Sequence, residues 1–203
     1  MKNSATGTRM HTGRNTIKKR STATHGIPSR RNPHVAHAAA GIKRVISGGQ
    51  TGVDRAALDV ALELGIACGG RCPKYRRAED GMIDLRYPLI ETEDEGYTER
   101  TVRNVVDADG TLILNRGILS GGTALTRRIA QQKKRPCLVI DVTEPPAPET
   151  VWAWIADQGI EVLNVAGPRE SRHQKIYDNA RRFLMELLNS RANPRPISHQ
   201  KID

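Results

Sequence analysis

The first forty residues of the chain contain no Asp or Glu, although they carry eight Lys or Arg side chains. The remaining residues hold 24 basic and 22 acidic side chains, so most of the formal net charge of +10 comes from this N-terminal segment. The high isoelectric point therefore does not indicate a basic surface on the rest of the chain. We expect any nucleic-acid binding to be weak and to come from the N-terminal segment.

Aromatic residues, cysteines and long apolar runs are also scarce. Aromatics make up only 3% of the chain, which leaves few surfaces for stacking nucleic-acid bases. No run of 18 apolar residues exists, so the sequence predicts no membrane span and no secretory signal. The three cysteines, Cys68, Cys72 and Cys137, have no metal-ligand spacing, and their small odd number favours a reducing compartment. We therefore predict a cytoplasmic protein without a bound metal ion.

Composition divides the chain into three parts. Residues 1–40 are rich in Ser, Thr, Arg, His and Gly, and they cannot bury enough apolar surface to offset the entropy of ordering. We predict a disordered basic tail at 1–40, a single ligand-binding domain at 41–190 and a frayed tail at 191–203. The basic tail fits a non-functional extension, an organellar transit peptide or a polyanion-binding arm, and the sequence leaves self-association open.

Short apolar runs alternate with segments of helical period from residue 41 onward. This alternation predicts an α/β fold, a Rossmann-like doubly wound parallel sheet of about five strands with helices on both faces. We expect the strand order 2-1-3-4-5, with the winding reversing between strands one and three. Strands are predicted near 43–47, 66–69, 111–114, 137–140 and 160–165, and helices near 53–64, 97–106, 124–132, 152–155 and, after a capping box at Ser171 and Gln174, 176–188.

Two glycine-rich segments, 47–55 and 115–123, each follow a strand and open a helix. In the predicted order both lie at the crevice where the winding reverses, whereas the loop after strand five lies further away. Neither segment is a P-loop or a strict dinucleotide fingerprint. Glycine lets backbone N–H groups approach a ligand, and a helix N-terminus attracts anions. The pair therefore predicts a site for phosphate, pyrophosphate or another oxyanion, with simple tight turns as the alternative.

The predicted site residues fall into three groups. Glycines would allow close backbone approach, hydroxyl and amide side chains would donate hydrogen bonds, and basic side chains would neutralise the ligand. Asp54 is spaced from Thr51 as in a capping box, and Asp54, Glu79 and Asp80 are the acids that could serve a hydrolase. The predicted set is Gly48, Gly49, Gln50, Thr51, Gly52, Asp54, Arg55, Lys74, Arg116, Ser120, Gly121, Gly122 and Thr123.

Six separated motifs resemble the "putative molybdenum carrier" family, in the superfamily of the lysine-decarboxylase-like phosphoribohydrolases and DNA-processing protein A. They are SGGQTGVDR at 47–55, CPK at 72–74, AEDG at 78–81, DGTLI at 109–113, SGGT at 120–123 and LNVAGPRES at 163–171. The resemblance covers about 42–188. It implies a Rossmann-like fold with a cleft for a nucleotide or the molybdenum cofactor (molybdopterin), and carriage of that cofactor or of an oxyanion.

Two relatives within that superfamily give the alternatives. The phosphoribohydrolases carry a Pro-Gly-Gly-x-Gly-Thr-x-x-Glu loop, but Ser120, Ala124 and Arg128 stand here in place of its proline, third glycine and glutamate. Direct transfer of that hydrolase activity is therefore not supported. DNA-processing protein A has a Ser-Gly-x-x-x-Gly-Ile-Asp segment similar to 47–54, which keeps single-stranded DNA binding as an alternative. We predict an anionic small-molecule ligand, and the sequence leaves turnover undecided.

Overall fold

The computed structural model describes residues 41–189. The predictions made for 1–40 and for 191–203 lie outside the described residues. Within 41–189 the elements alternate as expected for an α/β domain. The strands are β1 (Arg44–Ile46), β2 (Ala67–Gly69), β3 (Arg71–Cys72), β4 (Arg77–Ala78), β5 (Gly81–Met82), β6 (Ile90–Glu91), β7 (Gly110–Asn115), β8 (Cys137–Asp141) and β9 (Val162–Ala166). The α-helices are α1 (Val53–Glu63), α2 (Tyr97–Asp107), α3 (Gly121–Gln132), α4 (Pro148–Asp157) and α5 (Ile176–Asn189).

Five parallel strands form the central sheet, in the order β2-β1-β9-β7-β8. Every residue of β7 is buried, as in a parallel strand that is covered on both faces. Helices α1, α4 and α5 share the largest apolar core with the sheet, whereas α2 and α3 pack together in a separate cluster around Val105 and Ile129. The predicted Rossmann-like α/β class is confirmed.

The predicted strand order is wrong. The last strand of residues 41–189, β9, lies between β1 and β7 and pairs with both. Its buried Asn164 donates a hydrogen bond from Nδ2 to Oγ1 of Thr111 on β7, at 3.2 Å. If the β9–α5 unit stood first in the chain, the same sheet would read 3-2-1-4-5, which is the order typical of Rossmann domains. The winding therefore reverses between β9 and β7, and the loop after β9 lies at the centre of the carboxyl edge.

The stretch without a clear sequence period, between β2 and α2, is organised by a buried arginine. Arg76 is 7% exposed, and its guanidinium donates hydrogen bonds to the carbonyls of Ile83, Asp84, Tyr87 and Leu89, at 2.9–3.1 Å. The same segment contributes to a small apolar cluster beside α1. These hydrogen bonds hold the 83–89 loop against Arg76, beside the short pairs of strands β3–β6 and β4–β5 in the same stretch.

The predicted capping box of the last helix is also wrong. Helix α5 begins at Ile176, and the carboxylate of Glu170 accepts hydrogen bonds from the backbone amides of Lys175 and Tyr177. Ser171 instead contacts Glu79 through its hydroxyl, at 2.5 Å. The acid that satisfies the helix amides is therefore one residue earlier than the predicted cap.

Candidate functional site

A cavity of about 370 Å³ opens at the carboxyl edge of the sheet. The loops after β1, β7 and β9 and the first turns of α2 and α3 surround it. Seven of the predicted site residues line this cavity: Gly48, Gln50, Asp54, Ser120, Gly121, Gly122 and Thr123. The other six, Gly49, Thr51, Gly52, Arg55, Lys74 and Arg116, are not among its lining residues.

The N-terminus of α3 faces this cavity without a side-chain cap. Ser120 has the extended backbone of an N-cap residue, but its hydroxyl makes no capping hydrogen bond. Within 41–189, no acceptor binds the amides of Gly121, Gly122 and Thr123. A Cβ atom at either glycine would meet nothing within 4 Å. Free amides and the helix dipole together make this end attractive to an anion.

A buried ion pair also lies at the wall of the cavity. Nη1 of Arg100, on α2, is 2.8 Å from Oδ2 of Asp54, on α1, and their side chains are 15% and 4% exposed. The predicted Thr51–Asp54 capping box is therefore wrong, because the N-cap residue of α1 is Gly52 and no side chain caps it. Asp54 instead holds Arg100 at the cavity wall.

Gln50 is 6% exposed and carries an unsatisfied donor. Its Oε1 accepts hydrogen bonds from the amides of Thr51, at 3.0 Å, and Glu79, at 2.9 Å. Its Nε2 is buried and has no hydrogen-bond partner among the described residues. Because an unpaired buried amide costs about 1–3 kcal/mol, a ligand acceptor at this lining residue would be stabilising.

Two predicted glycines serve the packing of their loop instead of the cavity. Gly49 and Gly52 both have positive φ, at 75° and 78°. A Cβ at Gly49 would lie 2.5 Å from Leu89, and one at Gly52 would lie 2.5 Å from the carbonyl oxygen of Pro168. The backbone of the β1–α1 loop thus contacts the loop after β9 directly.

A carboxylate network joins the same loops. Glu79 accepts hydrogen bonds from the hydroxyl of Thr51 and from the backbone amide of Ser171, at 3.2 Å, in addition to the Ser171 hydroxyl. Arg169 lies 3.5 Å from the same carboxylate. Burial opposes ionisation of Glu79, but the hydrogen bonds from Ser171 and Thr51 outweigh it and hold the pKa of the carboxyl below its ordinary value.

The predicted basic residues lie elsewhere. Arg55 forms two hydrogen bonds with Asp80, at 2.6 and 2.9 Å, and these bonds lower the pKa of that carboxyl. The ammonium of Lys74 lies 5.3 Å from the ring centroid of Tyr75, and Arg116 is exposed after β7. The cations that do line the cavity come instead from α2 and from the loop after β9.

Those cations are the residues that the sequence-based prediction missed: Arg100, Arg169 and Arg172. The predicted strand order puts strand five at the edge of the sheet. It therefore puts the loop after that strand, which contains Arg169 and Arg172, away from the crevice. Gly167 of this loop is the signal that could have identified it. A Cβ there would lie 2.3 Å from the carbonyl oxygen of Leu114, so this loop must pass directly against β7.

Among residues 41–189, no group of three or more His, Cys, Asp or Glu side chains could hold a metal ion. Burial raises the pKa of the thiols of Cys68, Cys72 and Cys137.

In the same part of the chain, none of the helices is both long and apolar enough to cross a membrane.

Comparison with known proteins accounts for the strand order. A crystal structure of a protein from Syntrophus aciditrophicus SB, named "putative molybdenum carrier protein", is 44% identical to this chain. The match covers 73% of this chain and 96% of that one, with a TM-score of 0.70. No curated protein matches the chain. Residues 45–188 match the circularly permutated YpsA SLOG family, in agreement with the displaced β9–α5 unit. The chain belongs to this family.

Proposed function

We propose that this protein binds a phosphate-bearing small molecule in the cavity between the loops after β1, β7 and β9. The observation that carries this proposal is the uncapped N-terminus of α3, which opens on the same cavity as three arginines. Helix amides and guanidinium groups are the donors that proteins use most often for phosphate. Both kinds of donor meet here in one cavity.

The charges of the lining residues favour an anion. Asp54 is the one acidic side chain among the lining residues, and Arg100 neutralises it. Arg169 and Arg172 then remain as an excess of positive charge over the cavity, with Arg169 only partly balanced by Glu79. An anionic ligand would compensate this excess.

A nucleotide or the molybdenum cofactor fits the site better than a bare oxyanion. At about 370 Å³ the cavity lies in the range of small-molecule sites, about 300–1,000 Å³, which is more than one tetrahedral oxyanion fills. The phosphate of such a ligand would lie at the amides of Gly121, Gly122 and Thr123, and the unpaired Nε2 of Gln50 would meet a ligand acceptor. The name of the relative from Syntrophus aciditrophicus SB, a molybdenum carrier, supports a ligand that contains molybdenum.

The acids of the site support binding and release without turnover. Asp54 is paired with Arg100, Asp80 with Arg55, and Glu79 is held by Thr51 and Ser171. Each carboxylate therefore already has a partner and stabilises the loops around the cavity. A carrier needs the cavity only to bind and orient the ligand and to exclude water from it, and it needs these carboxylates only to support the surrounding loops. We propose this role over that of a hydrolase.

The full-length protein purified from its own host tests the proposal. Native mass spectrometry is expected to show a bound compound that contains phosphate, and isothermal titration is expected to show binding of AMP. Arg172→Gln should weaken AMP binding, whereas Arg182→Gln, an exposed arginine of α5, should not. Absence of a phosphate-containing adduct, together with absence of binding by AMP and inorganic phosphate, would overturn the proposal.

A further inference from the structure

Three guanidinium groups surround the ring of Tyr97, the first residue of α2. Those of Arg77, Arg100 and Arg169 lie 6.0, 5.8 and 5.5 Å from the ring centroid. Tyr97, Arg100 and Arg169 line the cavity, whereas Arg77 is exposed on β4 and is not one of the lining residues. The group therefore leads from the cavity wall to the outer surface, and we call it the Tyr97 cluster.

The charges of the Tyr97 cluster are not balanced within the described residues. Asp54 pairs with Arg100 at 2.8 Å, and Glu79 lies 3.5 Å from Arg169. No carboxylate of residues 41–189 lies within ion-pair distance of Arg77. Three like charges repel one another, and the negative face of one aromatic ring offsets this repulsion only in part.

An unpaired buried donor lies in the same cluster. The Nε of Arg100 is buried and has no hydrogen-bond partner among the described residues, as is the case for Nε2 of Gln50 on the same cavity. Arg100 uses only Nη1 in its contact with Asp54. Its guanidinium therefore still has donors for an acceptor other than Asp54.

We propose that the Tyr97 cluster is a second anion subsite, so that the ligand carries two anionic groups. The first group would bind at the N-terminus of α3 and the second at the cluster, with Arg77 reaching it at the cavity mouth. The first turns of α2 and α3 both line this cavity, so the two subsites open onto the same space. The ligand class is a diphosphate, such as a nucleoside diphosphate. This inference rests on the proposed function and specifies its ligand.

Isothermal titration with AMP and ADP tests the second subsite. For the unmodified full-length chain we expect ADP to bind at least about tenfold more tightly than AMP, or about 1.4 kcal/mol. Arg77→Gln and Tyr97→Ala should reduce this ratio to below about threefold, because they remove one charge or the ring that gathers the arginines. Tyr97→Phe keeps the ring and should keep the ratio. Arg103→Gln removes an exposed charge from the same helix and should also keep it.

The outcomes separate the two proposals. Equal binding of AMP and ADP by the unmodified chain, or an unchanged ratio in folded Arg77→Gln, would overturn the second subsite and leave the first intact. If adenine itself is excluded, inorganic phosphate and pyrophosphate give the same comparison. Failure of all four probes to bind, together with the absence of a phosphate-containing adduct, would overturn the proposed function as well. Arg77 is exposed, so its variant remains informative even if Tyr97→Ala fails to fold.

Discussion

The Nη1 atom of Arg100 lies 1.3 Å from the position that a Cβ atom would take at Gly48. The same position is 2.8 Å from Oδ2 of Asp54. Gly48 therefore leaves the space in which the Arg100–Asp54 pair forms. Its φ is not in the left-handed region, so an alanine there would collide with a side chain without straining the backbone.

Gly48→Ala is expected to weaken AMP binding at least about tenfold, because Arg100 must leave its place at the cavity wall. The fold should survive, since the atom displaced is the end of a flexible side chain. Isothermal titration, with circular dichroism as a check of folding, measures both effects.

Gly49→Ala is the matched control from the adjacent position. Its Cβ would press on Leu89 and Ile83 at a positive φ, away from the lining residues. It should therefore lower the melting temperature and leave the affinity unchanged. Normal affinity in Gly48→Ala would show that Arg100 has no part in binding.

Gly122→Ala is expected to weaken AMP binding without loss of stability. A Cβ at this position meets no protein atom within 4 Å, and alanine is favoured over glycine in a helix by up to about 1 kcal/mol. The added methyl group would stand beside the free amides of α3. Thermal melting and titration are measured on the same sample.

Gly159→Ala, at the end of α4, serves as the control for that variant. Its positive φ of 62° predicts a lower melting temperature with unchanged affinity. Unchanged affinity in both variants would mean that the N-terminus of α3 does not contact the ligand.

Glu79→Gln is expected to destabilise the protein at neutral pH and much less in acid. The pKa of Glu79 is lowered in the folded state, so its ionised form adds stability that is fully present above the ordinary pKa of 4.5. That stability is lost as the pH falls through the lower folded-state pKa. The difference in free energy of unfolding between the unmodified protein and Glu79→Gln should therefore shrink below about pH 5.

Denaturant unfolding at pH 7, 5, 4 and 3 measures this difference. The pKa of Asp80 is also lowered, by Arg55, so the unmodified protein and Glu79→Gln will both lose stability in acid. The quantity to follow is therefore the difference between their free energies of unfolding at each pH. A difference in free energy of unfolding that stays constant from pH 7 to pH 3 would contradict the prediction that ionised Glu79 stabilises the loop network.

Arg76→Met is expected to lower the free energy of unfolding by about 3 kcal/mol. The substitution removes the donors that satisfy four backbone carbonyls and keeps much of the apolar volume. Limited proteolysis should also cut faster within residues 73–91. Arg77→Gln, the exposed neighbour, should change stability by less than about 0.5 kcal/mol. Equal stability of the two variants would show that Arg76 does not organise this segment.

The alternation of short apolar runs with segments of helical period made the elements of the sheet predictable. The fully buried run of β7 reads as a central strand, and the apolar stripe of α5 reads as a helix facing the core. The segment around Arg76 was not predictable, because its structure depends on one side chain that reaches carbonyls up to thirteen residues away. Such a contact leaves no periodic signal in the sequence.

The site was predicted in part for a similar reason. The glycine loop before α3 follows β7 directly, so its place at the carboxyl edge could be inferred from local order. Arg169 could not be placed in this way, because its position depends on which strands β9 pairs with. Strands that are neighbours in the sheet need not be neighbours in sequence, and β9, which pairs with β1 and β7, is an example.

The position of β9 has a consequence for how the domain is made in the cell. Strands β1 and β7 are joined only through β9, so the growing chain holds two separate two-stranded halves until residues 162–166 have been synthesised. Two-stranded sheets are marginally stable on their own. The final strand therefore completes the sheet and brings Arg169 and Arg172 to the cavity in the same step. A nascent chain that stops before this strand would have neither a continuous core nor a place for the ligand.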